Sequence, residues 1–251
     1  HSIMPRAPRQ HAGDQRSREP RARIRPRDAA TLIIVDATGA HPKVLMGRRR
    51  PDQIFLPDTF VFPGGRVEPA DRAFARHCRL AASESVCVQS HMHGKPSERR
   101  AAALALAALR ETFEETGVLV GNPPAAASGT PAATSWTELL SGGFEPGLEN
   151  LTYLARAITP PARPRRYDTR FFIVDAGRIA HRVAQSDGEL LDIGWFTVEA
   201  ARSLKLPSIT RHIMDDLAAY LALAPARRRQ EPVPFYAHRR GVFERRLLVR
   251  P

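Results

Sequence analysis

Apolar and polar positions alternate along the chain in a way that predicts several strands and two long helices between residues 29 and 224. Apolar residues spaced by three and four in 97–117 and 208–224 indicate two amphipathic helices. Short runs rich in β-branched and aromatic residues predict strands at 32–35, 44–46, 151–158, 170–175 and 190–197, and 60–68 is expected to be a strand that runs into a Gly-Gly loop. Strands interspersed with two long helices favour a layered α/β or α+β domain.

Two flanking segments lack this pattern. Residues 1–28 carry many arginines and almost no apolar side chains, so we expect a basic N-terminal arm before a domain over 29–224. Residues 225–251 are expected to form a C-terminal tail with one strand candidate at 242–249. The chain shows no internal repeat.

Composition and charge narrow the class of protein. The 251 residues are 43% hydrophobic and 25% charged, as in an ordinary globular domain. The sequence contains no apolar run of 18 residues, so no membrane span is predicted. The two cysteines suggest reduced thiols, and we therefore expect a cytoplasmic protein. The net charge of +12 favours anionic partners, although a coding bias toward Ala, Arg and Pro would also explain it. Nucleic acid is disfavoured because no aromatic residue is interleaved in the basic arm.

Three closely spaced carboxylates stand in the last turns of the first helix: Glu111, Glu114 and Glu115. At about 100° per residue they share one face, and the helix's apolar residues lie on the opposite face. A run of charged residues is commonly a solvated helix face, but carboxylates at a helix C-terminus oppose the helix dipole. A solvated face and a Mg²⁺ site are therefore competing interpretations of these glutamates. The glycine pair Gly64 and Gly65 could bring backbone carbonyls to the same metal or phosphate.

This pattern resembles the signature of the Nudix hydrolases, G-x5-E-x7-R-E-U-x-E-E-x-G-U, where U is a bulky apolar residue. The matching positions are Gly65, Asp71, Arg110, Glu111, Glu114, Glu115, Gly117 and Val118. The chain departs from the signature in having Asp71 for the first glutamate and Thr112 at the first U position. It also has 38 residues (72–109) where the family has 7, an insertion of 38 − 7 = 31.

An insertion at this place resembles the acyl-CoA diphosphatase-like branch of the family. Three further stretches are similar to that branch: "VLMGRRR", "RAITPPARPRRYDTRFFIV" and "GELLDIGWFTVEAARSLKLPSITRHIMDDLA". The resemblance covers about residues 30 to 222. It implies an α/β/α sandwich with a mixed β-sheet and a helical insertion at 72–97, which would form a lid or a dimer element beside the cleft.

The resemblance also implies roles for individual residues. Glu111 and Glu115 would bind Mg²⁺ or Mn²⁺ directly, and Glu114 would bind a second ion or orient a water. A carbonyl of Gly64 or Gly65 would be a further ligand. Arg110 and Asp71 would hold the carboxylates in place, and Gly117 would end the helix. The general base would be Glu189, with Asp187 as its neighbour, although a solvated turn is an equal interpretation.

Substrate phosphates are expected to meet arginines. The candidates are Arg48, Arg50 and Arg66, with Arg49, Arg165, Arg166 and Arg170 as further possibilities. A less favoured alternative places zinc in the insertion, at His77, Cys78, Cys87, His91 and His93, although their spacing matches no common zinc module.

Three functions remain open at this stage. The favoured one is a diphosphatase that cleaves CoA or acyl-CoA to 3′,5′-ADP and (acyl-)phosphopantetheine. The second is a pyrophosphatase acting on ADP-ribose, a dinucleotide or a nucleoside diphosphate sugar, with RNA decapping more remote. The third is a non-catalytic Nudix binding or regulatory module. A homodimer is compatible with each of them.

Overall fold

The computed structural model describes residues 24–54, 56–123, 135–183 and 189–251. Most of the basic arm, most of the Pro/Ala/Gly-rich segment 122–135 and Asp187 lie outside the described residues. No helix within the described part is both long and apolar enough to cross a membrane.

The described residues form twelve strands and seven α-helices. The strands are β1 (Arg27–Asp36), β2 (Lys43–Arg49), β3 (Phe60–Val61), β4 (Gly64–Arg66), β5 (Val118–Asn122), β6 (Glu145–Pro146), β7 (Thr152–Ile158), β8 (Tyr167–Asp175), β9 (Ile179–Arg182), β10 (Leu190–Thr197), β11 (Val233–Arg239) and β12 (Val242–Leu248). The helices are α1 (Pro69–Phe74), α2 (Ala82–Ser90), α3 (Glu98–Thr116), α4 (Trp136–Ser141), α5 (Val198–Arg202), α6 (Ser208–Ala222) and α7 (Pro225–Arg228).

A mixed sheet of nine strands organises the described residues. Its order is β10-β2-β1-β8-β7-β11-β12, with β3 paired to β2 and β4 paired to β1. The β1–β8 and β7–β11 pairs are parallel and the others are antiparallel. β5, β6 and β9 form a separate small sheet.

Helices cover both faces of this sheet, because successive side chains of a strand point to opposite sides. In β1, Leu32 and Ile34 belong to the core cluster that contains the apolar residues of α3. Ile33 and Val35 belong to the other cluster, together with Ile213 and other residues of α6. The predicted α/β/α sandwich with a mixed sheet is therefore confirmed.

The carboxylate helix forms where the sequence predicts it. The Ser97 hydroxyl accepts a hydrogen bond from the Arg100 N–H at 3.2 Å and caps the N-terminus of α3. Gly117 ends the helix in the left-handed region, at φ 72°. Alanines and leucines from 101 to 109 are buried along its length, and their small volume allows close packing on the sheet.

Two segments differ from the prediction. The Gly-Gly loop is itself a strand, β4, paired with β1. The C-terminal tail forms a hairpin, and its first strand, β11, lies parallel to β7 in the main sheet. The sequence does not predict β11, because Pro234 lies within it and proline disfavours a strand interior. The predicted strand in 242–249 is present as β12.

The insertion is helical, as predicted, but it does not form a lid: none of residues 72–97 lines the cleft described below. α2 instead braces the sheet. The Glu84 carboxylate accepts a hydrogen bond from the Tyr153 N–H at 2.8 Å and pairs with Arg250 at 3.1 Å. The His91 Nε2 contacts the Val249 carbonyl at 3.0 Å. The insertion thus ties the sheet to the C-terminal residues.

Candidate active site

A cleft of about 570 Å³ lies where the C-terminal turns of α3 face β4. Charged residues dominate its lining, and aromatic and aliphatic side chains complete its walls. The charged ones are Arg49, Arg66, Glu68, Arg110, Glu111, Glu114, Glu115, Arg165 and Glu189. The cleft therefore joins carboxylates and guanidinium groups in one concave surface, which suits a ligand that carries both metal and phosphate.

Glu115 and Glu111 are the deepest carboxylates. Glu115 is only 4% exposed, and its Oε2 accepts a hydrogen bond from the Gly64 N–H at 3.0 Å. Burial, with the nearby charge of Glu111, raises the pKa of Glu115 to about 8. Burial also raises the pKa of Glu111 to about 7, although the Arg110 guanidinium opposes the shift. Burial thus disfavours the ionised form of both carboxylates.

Arg110 connects the carboxylates to the residue that replaces the first glutamate of the signature. Its Nε and Nη2 donate to the two oxygens of Asp71 at 3.0 and 3.1 Å. Its Nη1 lies 2.7 Å from Glu114 and 3.1 Å from Glu111. Asp71 also accepts from the Glu68 N–H at 2.8 Å. Arg110 is therefore a positioning residue, and Asp71 reaches it despite its shorter side chain and the insertion that follows.

The glycine pair lets α3 approach β4 closely. A Cβ on Gly65 would collide with the carboxylate of Glu111, and a Cβ on Gly64 would lie 2.6 Å from the Ala30 carbonyl oxygen. Glycine at 65 leaves room for the Glu111 carboxylate against the strand. Glycine at 64 permits the β1–β4 pairing.

Glu189 lies at the exposed rim of the same cleft. It is close enough to Glu111 and Glu115 for its charge to raise the pKa of both. β10 carries it there, because this strand pairs with β2 beside the cleft. The fold thus unites Glu189 with carboxylates more than 70 residues away in the chain.

The prediction for Arg170 is wrong. Its side chain is fully buried and pairs with Asp168 at 2.9 Å and with Asp28 at 3.6 Å. Along β8, Tyr167, Thr169 and Phe171 face the cleft, so the alternate residue 170 points to the other side of the sheet.

The predictions for Arg48 and Arg50 are corrected as well: Arg48 alternates with Arg49 along β2, and Arg50 follows the end of that strand. Arg48 pairs with Asp58 and Asp192 at 2.8 and 2.7 Å, and Arg50 contacts Asp52 at 3.4 Å. Neither lines the cleft. The arginines that do are Arg49, Arg66, Arg110 and Arg165. Of the four arginines that were first predicted to bind substrate, only Arg66 lines the cleft. Arg49 and Arg165, named as further possibilities, also line it.

Comparisons with known proteins give relatives in sequence and in fold. No protein-family model matches the chain. A Nudix hydrolase structure from Alicyclobacillus acidocaldarius aligns at a TM-score of 0.62 and 28% identity, over 79% of this chain and 93% of that one. A curated Caenorhabditis elegans protein named "Putative nudix hydrolase 7" is 30% identical over 159 residues. In sequence and in fold the chain is thus similar to Nudix hydrolases.

The extent of the likeness differs between the two relatives. The C. elegans match covers 59% of this chain and 44% of the relative, so the chain spans less than half the length of that protein. A second solved structure, the Nudix domain of Shewanella oneidensis NrtR with ADP-ribose, aligns at a TM-score of 0.46 and 11% identity, over 81% of this chain and 94% of that one. It is too distant for its ligand to bear on this chain.

The site fits a divalent cation by the chemistry of its donors. Glu115 is buried and Glu111 is partly buried, and their carboxylates offer the hard oxygen ligands that such a cation takes. Within the described residues no group of three His, Cys, Asp or Glu side chains is already arranged as a metal cage, in the cleft or among the histidines and cysteines of the insertion. Backbone carbonyls or water would therefore complete a metal site.

Proposed function

We propose that the chain is a Mg²⁺- or Mn²⁺-dependent hydrolase that cleaves the diphosphate linkage of a nucleoside diphosphate derivative. CoA and acyl-CoA are the favoured substrates, with 3′,5′-ADP and (acyl-)phosphopantetheine as products. One observation carries the proposal: the buried Glu115 and the neighbouring Glu111 lie in a cleft whose walls bear arginines. We also expect a cytoplasmic protein, and a homodimer is compatible with the function.

Glu111 and Glu115 would hold the metal, with Glu114 for a second ion and a carbonyl of Gly64 or Gly65 as a further ligand. When bound, a divalent cation would neutralise the charge of the phosphates and lower the pKa of a water molecule. Arg110 keeps Glu111 and Glu114 in place through hydrogen bonds and ion pairs at 2.7 to 3.1 Å.

Arginines would bind and orient the diphosphate. Arg49, Arg66 and Arg165 line the cleft, and a planar guanidinium can make paired hydrogen bonds to phosphate oxygens. They would neutralise the charge that develops as the phosphoanhydride bond breaks. Arg110 is unsuited to this task because Asp71 and the glutamates occupy its donors.

Glu189 would act as the general base and accept a proton from the attacking water. Its position at the cleft rim, near Glu111 and Glu115, supports this role. A general base needs to lie within hydrogen-bond reach of its water, and the exposed rim leaves space for one.

The preference for CoA rests on the stretches that resemble the acyl-CoA diphosphatase-like branch, since the carboxylate site alone suits every nucleoside diphosphate derivative. ADP-ribose, dinucleotides and nucleoside diphosphate sugars are therefore the alternative substrates. A non-catalytic binding module is the alternative of another class, and retention of all three signature glutamates disfavours it.

A product assay by mass spectrometry tests the proposal. The protein is incubated with Mg²⁺ and, separately, CoA, acetyl-CoA, dephospho-CoA, ADP-ribose, NADH or capped RNA. Glu115→Gln should abolish metal-dependent product. Glu98→Gln, at the exposed N-terminal end of the same helix, is the matched control and should retain it.

Each outcome selects one function. Release of 3′,5′-ADP from CoA supports the favoured diphosphatase. Cleavage of ADP-ribose or NADH without cleavage of CoA keeps the hydrolase and refutes the CoA preference. Binding of these compounds with no metal-dependent product from any of them refutes the hydrolase and favours the non-catalytic module.

A further inference from the structure

A second, smaller cavity continues the cleft beside the first residues of β1 and β8. It has a volume of about 280 Å³ and is lined by Ile24, Arg27, Arg66, Pro164, Arg165, Arg166 and Tyr167. We call it the arginine annex. Four of its seven described lining residues are arginine and none is acidic. Arg66, Arg165 and Tyr167 line both the annex and the cleft, so the two cavities share a wall.

The positive charge of the annex is weakly compensated. Within the described residues, the side chains of Arg27 and Arg165 form no ion pair or hydrogen bond. Among the described residues, the Arg66 side chain pairs only with Glu68, at 3.3 Å, and both side chains are substantially exposed. Such an exposed pair contributes little binding free energy, so Arg66 remains available to an anion.

The walls of the annex are held in place by backbone contacts. Arg166 donates to the Ile24 carbonyl at 2.7 Å and to the Thr159 carbonyl at 3.1 Å. The Arg27 N–H donates to the Arg166 carbonyl at 2.9 Å, and Arg27 lies opposite Tyr167 in the parallel β1–β8 pair. Strand pairing therefore brings Arg27 to the loop that carries Arg165.

We infer that the arginine annex binds a phosphate that the substrate carries away from the diphosphate that is cleaved. The substrate class is then a nucleoside diphosphate derivative with an additional phosphomonoester on its nucleoside. This inference rests on the proposed function for the orientation of the substrate. Guanidinium groups match phosphate geometry, and a concave site with one sign of charge concentrates anions.

Tyr167 suits the space between the two phosphate sites. Its ring lies on the wall that the annex shares with the cleft. An aromatic ring in that place offers a stacking surface for a nucleobase. A nucleotide would then span the shared wall, with its diphosphate toward the glutamates and its additional phosphate toward Arg27 and Arg165.

The test measures binding without hydrolysis. Isothermal titration calorimetry compares 3′,5′-ADP with 5′-AMP on the wild-type chain, Arg27→Ala, Arg165→Ala and Arg163→Ala. Arg163 is an exposed arginine of the same loop that lines neither cavity, so it is the matched control. Thermal melting of each variant checks that it folds.

We expect the wild type to bind 3′,5′-ADP at least about tenfold more tightly than 5′-AMP, because one charge-assisted hydrogen bond contributes about one decade of affinity. Arg27→Ala should weaken binding of 3′,5′-ADP about tenfold and leave 5′-AMP unchanged, because Arg27 lines the annex and not the cleft. Arg165→Ala should weaken both nucleotides, because Arg165 lines both cavities. Arg163→Ala should change neither. Equal wild-type affinity for the two nucleotides would overturn the inference, as would equal weakening of both by Arg27→Ala.

The result is separable from the proposed function. Selective binding of 3′,5′-ADP without hydrolysis of any compound keeps the annex and refutes the enzyme. Hydrolysis of CoA and dephospho-CoA with the same kcat/KM, unchanged by Arg27→Ala, keeps the enzyme and refutes the annex. An oligonucleotide that binds tightly while the two nucleotides bind alike would assign the arginines to a nucleic-acid backbone and also overturn the inference.

Discussion

Gly65→Ala tests whether the close approach of Glu111 to β4 is needed for activity. The added Cβ would lie less than 3.0 Å from all three terminal atoms of the Glu111 carboxylate, including Oε2 at 2.8 Å. An ordinary van der Waals contact needs at least 3.4 Å. The carboxylate therefore has to move by up to about 1 Å, and it can do so because it stands at the end of a flexible side chain.

The displacement should affect catalysis far more than folding. A misplacement of about 1 Å in a catalytic group costs about 100-fold in rate, or about 2.7 kcal/mol of transition-state stabilisation. Gly65 does not adopt a positive φ, so alanine fits its backbone conformation. We expect the free energy of unfolding to change by less than about 1 kcal/mol.

The assay compares three alanine substitutions by kcat/KM and by urea unfolding. Gly64→Ala places its Cβ 2.6 Å from the Ala30 carbonyl oxygen, a backbone atom that cannot rotate away, so it should destabilise the fold by about 1–3 kcal/mol. Gly39→Ala meets no atom within 4 Å and should be silent in both measurements. Gly65→Ala with kcat/KM within threefold of wild type would refute the catalytic importance of the Glu111 position.

Three further predictions concern charge in the site and in the core. Mg²⁺ should raise the Tm of the wild type, and Glu115→Gln should lose that rise, because the ligand that couples binding to folding is gone; an equal rise in both, measured by calorimetry, would exclude Glu115 as a ligand. Asp71→Ala should lower the free energy of unfolding by about 3 kcal/mol in urea titrations, since it leaves the buried Arg110 without its bidentate partner; a loss below 1 kcal/mol would contradict this. Burial alone would raise the pKa of Asp28, but the hydrogen bonds and charge of Arg100 hold it below 3.8, so its stabilisation is complete above pH 3.8 and is lost as the pH falls through the lowered pKa. Asp28→Asn should therefore destabilise by about 2 kcal/mol at pH 7 and by clearly less at pH 3 in urea unfolding; an equal effect at both pH values would show that the charge is not involved.

The sequence by itself determined the carboxylate helix and the class of fold. α3 begins at the Ser97 cap and ends at Gly117, and both signals lie within a few residues of the helix end that they specify. The spacing of Glu111, Glu114 and Glu115 on one helical face follows from the 3.6-residue period alone. Local periodicity and capping are encoded in contiguous residues, and these elements could therefore be predicted without the tertiary structure.

Only the tertiary structure decided which arginines face the cleft and what the insertion does. One residue of strand register moves a side chain to the opposite face, so Arg49 lines the cleft and Arg48 does not. The Glu84–Arg250 pair joins residues 166 positions apart, and no local sequence pattern predicts it. The arginine annex depends on the parallel pairing of β1 with β8, 140 residues later in the chain. Such contacts depend on how distant strands and helices pack, and their free energy is gained only when the whole sheet forms.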